Sequence, residues 1–186
     1  MKKIVVIALM SLLALNVYAK KETPTVYFYC VDFMHVNIYG AKESAHEFKK
    51  AFKGINELLM TESAKYDASS YLNVRVKEIV IAPVINRVDD IDEKELFVYN
   101  RDVEGFTKEE IEFIIGNLDL KETSGTGLIF IADFLDKTTH TGHYHVVFFD
   151  IATREVNSVE EVSGLAKGAG LRNYWARTIL NVMKNY

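Results

Sequence analysis

The chain opens on a short apolar block and then alternates between sheet-like and helix-like spacing. Lys2 and Lys3 precede an apolar run, Ile4 to Leu15, broken only by Ser11, and Val17-Tyr18-Ala19 provides a permissive cleavage site. These are the three parts of a secretory signal. The run is 12 residues long, against the roughly 20 needed to cross a bilayer. The sequence therefore predicts cleavage after Ala19 and an exported chain, periplasmic or extracellular, with no integral membrane segment. Position 20 is Lys rather than Cys, so no acylated anchor is expected.

Beyond the leader, Thr25–Phe33 is continuously apolar and rich in aromatic and β-branched residues, as in a central strand covered on both faces. From Ala41 to Met60 the apolar residues Ala41, Ala45, Phe48, Phe52, Ile55 and Leu59 recur every three or four positions, which predicts an amphipathic helix. Leu72–Lys77 alternates with period two, and Ile79–Ile81 extends it toward Pro83 as a second strand. The acidic block Asp89–Glu95 fits either a loop or the first turn of a short helix. Thr107-Lys-Glu-Glu110 has the capping-box pattern and predicts a helix over about 107–119.

Leu128–Leu135, a polar tip over Asp136–Gly142 and the run His143–Phe149 read as a hairpin; a turn at Asp150–Arg154 leads into a third strand. A final helix from about 170 carries one stripe, from Leu171 through Trp175, Ile179 and Met183. No low-complexity tract or Pro/Gly-rich linker divides residues 20–186. The expectation is a single α+β domain whose predominantly antiparallel mixed sheet packs against helices.

Charge narrows the partners. The whole chain carries a formal −4, and removing residues 1–19 takes away two lysines and no acids, leaving 20 basic against 26 acidic residues, or −6. A basic patch or a strongly basic domain is the usual footprint of nucleic-acid binding, so nucleic acid is excluded as the expected partner. The lone cysteine, Cys30, cannot form an internal disulfide, and its apolar neighbours predict a buried, inert thiol.

Four places offer chemistry. His140, His143 and His145 lie within six residues; on a strand His143 and His145 share a face, so the three imidazoles could approach a zinc or copper ion, the alternative being a polar hairpin tip. Lys167, Gly168, Gly170, Arg172 and Asn173 stand at the start of the last helix, where free N–H groups and cations could cradle an anion; glycines that bring helix and sheet close are the competing explanation. Asp32 and His35 follow the first strand, either as an acid–base pair or as a loop carboxylate and a satisfied histidine. Tyr174 and Trp175 could stack on a ring but belong to the apolar helix stripe. There is no nucleophile elbow, phosphate loop or His-Glu-x-x-His, and no enzyme activity or obligatory cofactor is expected.

Val146–Asp150, Ala152-Thr153, Val156, Gly164 and Gly168-Ala-Gly-Leu-Arg-Asn-Tyr-Trp-Ala176 resemble the C-terminal third of a family of small secreted Bacteroidetes-type proteins of unassigned function. The same order of elements looks like the end of TolB N-terminal and curli-secretion lipoprotein domains. The resemblance implies a TolB N-terminal-like layout and a non-catalytic cell-envelope component that binds an envelope protein or self-associates. It supplies no catalytic residues. The alternative is a periplasmic metal- or small-ligand-binding protein using His140, His143 and His145.

Overall fold

The computed structural model describes residues 22–102 and 104–186. The leader and its cleavage site lie outside the described residues. A seven-stranded sheet is built around β5 (Thr126–Asp136). One side of β5 pairs in succession with β1 (Thr25–Asp32) and the short β2 (Asn37–Tyr39), both parallel. β3 (Arg75–Ile79) adds to β1 and β4 (Phe97–Val98) to β2, again parallel. On the other side β6 (Thr141–Asp150) and β7 (Val156–Leu165) continue as an antiparallel meander.

The predominantly antiparallel α+β sheet is thus corrected to an α/β fold with a parallel core. The physical reason lies in the connections. Antiparallel neighbours can be joined by tight turns, whereas parallel ones require a crossover of a dozen or more residues. Helices α1 (Ala45–Thr61) and α2 (Ala68–Tyr71) fill the path from β1 to β3. The path from β3 to β5 carries α3 (Ala82–Ile85), a 3-10 turn (Asn86–Asp90), α4 (Glu93–Leu96) and α5 (Lys108–Gly116). Pro83, expected to end a strand, starts α3 instead, and Asp92 caps α4 by accepting the Lys94 N–H.

Helices cover both faces of the sheet. Alternation along β5 sends Leu128, Phe130 and Ala132 to one core and Ile129 and Ile131 to the other. The first core is closed by Phe48, Phe52 and Ile55 of α1 and by Trp175, Ile179 and Met183 of α6 (Leu171–Asn185). The second is closed by Ile111, Ile114 and Ile115 of α5, packed on Tyr29, Val147 and Phe149. Two reciprocal capping boxes start these layers, Ser44 with Glu47 on α1 and Thr107 with Glu110 on α5.

β1 is not regular. Cys30 is buried at φ 58°, and the β1–β5 register shifts between Phe28 and Val31. Past this bulge Val31 stays opposite Phe130 of β5, while the β1–β3 register ends at Phe28. Asn56 of α1, itself fully buried, replaces the missing partner: its Oδ1 accepts the Val31 N–H at 2.9 Å and its Nδ2 donates to the Val31 carbonyl at 2.9 Å. The Cys30 thiol is held protonated because burial pushes its pKa up.

Candidate functional site: the groove between α5 and β7

Among the described residues β7 lies at the edge of the sheet and pairs only with β6. Its α6-facing side is closed, with Gly164 against the backbone of Thr178 and Asn181 Nδ2 donating to the Leu165 carbonyl at 2.7 Å. The α5-facing side is open. There, α5 and the residue before its N-cap, Phe106, stand back from β7 and leave a groove of about 590 Å³. Phe106, Ile111, Val156 and Val159 form its apolar walls, and Glu161 lies along the β7 side.

His145 forms the floor. It is 1% exposed and sits directly across the ladder from Glu161, so both side chains project to the α5 face. The Phe106 ring covers it at a centroid distance of 5.7 Å. Its Nε2 is 3.6 Å from Asp133 Oδ2, beyond hydrogen-bond reach, and neither ring nitrogen has a hydrogen-bond partner among the described residues. A buried polar group left unmatched costs about 1–3 kcal/mol, so such a group calls for a partner such as a water, an ion or a ligand group.

The three histidines singled out in the sequence do not converge. His140 sits in the β5–β6 turn at φ 58° with its Nδ1 against the Tyr174 hydroxyl on the α6 side, whereas His145 is buried under Phe106 on the opposite face. His143 is exposed on the α5 face beside Phe134, at 6.0 Å between rings. Among the described residues no group of three His, Cys, Asp or Glu side chains has metal-holding geometry.

The second set is dispersed too. Gly170 is the N-cap of α6 and gives no side-chain cap, and Gly168 and Gly170 have φ of 134° and 77°. Arg172 leans away over Gly54 toward Lys49, Lys50 and Lys53 of α1, while its Nε donates to Asn173 Oδ1 at 3.1 Å. Lys167 is exposed and is not part of that cluster. Asp32 and His35 are not paired: the buried Asp32 carboxylate accepts from Arg87 at 2.7 Å and from the Met34 N–H at 2.9 Å. Burial raises the Asp32 pKa, against the opposing pull of Arg87. Trp175 is buried in the core and Tyr174 lies beside it, edge to face.

Compared with family models, with curated proteins and with solved structures, the chain shows no significant match. No helix among the described residues is long and apolar enough to cross a membrane.

Sequence reasoning singled out His145 for the wrong neighbours. Glu161 and Phe106 carry no motif; only the β6–β7 register and the placement of α5 bring them to it. The period-two alternation of the meander could have paired His145 with a β7 residue, but not with one ahead of α5.

Proposed function

We propose that the chain is an exported, non-catalytic binding or assembly component of the cell envelope that engages its partner by adding a strand to β7. One observation carries this reading: β7 is a ten-residue strand whose outer ladder pairs with no strand among the described residues. Such an edge offers a row of free N–H and C=O groups to a second chain, and natural sheets normally shorten or cover it. The opposite edges here are short, five residues in β3 and two in β4. β7 is long and contains no proline. The exported location rests on the leader pattern of Lys2, Lys3 and Ile4–Leu15.

Charge on the edge selects among partners. A second copy pairing antiparallel about the middle of β7 sets Glu160 and Glu161 against the same two residues. Like charges directly opposite are destabilising. A partner strand bearing basic residues has no such penalty, and so we favour a different protein over self-association.

Site-specific photo-crosslinking in the native host tests the reading. A crosslinker at the exposed Asn157 of β7 should give a discrete adduct in the exported fraction, and one at the exposed Glu78 of β3 should not. Equal labelling from both edges, or a chain retained in the cytoplasm with Met1–Ala19 attached, would count against it.

A further inference from the structure

The groove beside β7 has a chemistry of its own. A strand added to β7 would place every second side chain on the α5 face, beside Val159 and Glu161. Any such side chain meets apolar walls first and polar groups at the floor. Around that floor the carboxylates are Asp133, 3.6 Å from His145 Nε2, and Glu161, opposite His145 in register. Lys108, the one cation lining the groove among the described residues, is paired with Glu112 at 3.4 Å. His145 adds two ring nitrogens without partners.

We propose that this groove is a binding site for a cationic head on an apolar stem, namely a Lys or Arg side chain of the strand that adds to β7. The stem lies along Ile111 and Val159, and the head pairs with Glu161 and, as the Phe106 ring that covers His145 turns aside, comes between Asp133 and Glu161 and donates to His145. An ammonium or guanidinium group brings only donors, which suits two carboxylates and an imidazole nitrogen able to accept. The Phe106 face adds a cation–π attraction. A carboxylate would be repelled by both acids, and a purely apolar side chain would leave His145 unmatched. The occupant's identity as a strand residue rests on the edge-strand reading; the preference for a cation does not.

The test separates the two. Agmatine, n-pentylamine, n-pentanol and pentanoate are titrated into the mature protein while the His145 ring ¹⁵N and ¹³C signals are followed by NMR. The expected result is saturable shifts with the two cations, on the order of millimolar affinity for such small probes, and at least tenfold weaker response to pentanol and pentanoate. Glu161→Gln and Asp133→Asn should each weaken the cation response several-fold; Glu161 is exposed, so its variant keeps the fold. Equal response to pentanol and pentylamine, or unchanged response in both variants, overturns the site whatever the crosslinking at β7 gives. Cation binding without a β7 adduct would leave the site standing and remove only its strand-borne occupant.

Discussion

Replacing Gly164 by alanine places a methyl group against the backbone of α6. An added Cβ would lie 2.9 Å from the Thr178 carbonyl carbon and 3.1 Å from its Cα, with the carbonyl oxygen nearer still. Carbon atoms rest about 3.5–4.0 Å apart, so β7 and α6 must separate by roughly half an ångström or more. No rotamer change relieves a clash with main chain. Gly164 does not have a positive φ, which leaves the cost purely steric. Because α6 carries Trp175, Ile179 and Met183 into the core, the separation loosens a whole interface. Overpacking costs about 1–3 kcal/mol, and we expect the upper end, about 3 kcal/mol. Trp175, the single tryptophan and 0% exposed, reports the transition by fluorescence in urea. With a slope of about 2 kcal/mol/M the midpoint falls by about 1.5 M. Gly116→Ala is the control, since an added Cβ there meets nothing within 4 Å at the end of α5; it should be neutral or gain up to about 1 kcal/mol. Similar midpoints for the two variants would refute the close approach of β7 to α6.

Two further changes probe the interior. Asn56→Leu removes both partners of the Val31 main chain at the β1 bulge and should cost about 3 kcal/mol, from two unmatched backbone groups at about 1–3 kcal/mol each; a loss below about 1 kcal/mol, or unchanged amide exchange at Val31, would disprove the bridge. Burial alone would raise the Asp136 pKa, but hydrogen bonds from the Thr138 hydroxyl and the Thr138 and Thr139 N–H groups outweigh it and bring the carboxyl to about 2. Its folded pKa lies below the ordinary value of about 3.9, so the stabilisation, about 2 kcal/mol, is complete above pH 4–5 and lost as the pH falls toward 2. The stability difference between wild type and Asp136→Asn should shrink over that window, measured by urea unfolding at pH 5, 3.5 and 2.5; a difference independent of pH would sink the assignment.

The three longer helices, α1, α5 and α6, were legible in the sequence because their causes are local, whereas the four-residue α2, α3 and α4 were not. Apolar spacing of three and four marked α1 and α6, and Thr107 with Glu110 marked the first turn of α5. The meander of β5, β6 and β7 was legible as well, through alternating runs and a short turn. Strand direction elsewhere was not. The continuous apolar character of Thr25–Phe33 fits a parallel strand buried on both faces, yet it is equally that of any central strand, and only the crossovers through α1, α2 and α5 settle its partners as β3 and β5.

By itself the sequence determined composition, charge, the leader pattern and which faces of the helices turn inward. Each follows from residues within a few positions of one another. The tertiary structure decided what depends on distant segments. It divided His140 and His145 between opposite faces, because the turn carries one to Tyr174 and the strand carries the other under Phe106. It took Arg172 to the lysines of α1 rather than to an anion cradle at Gly170. It also left one long edge of the sheet open, with an unmatched imidazole and two carboxylates beside it. Edges and grooves are properties of how strands are ordered, and that order is written in no single stretch of the chain.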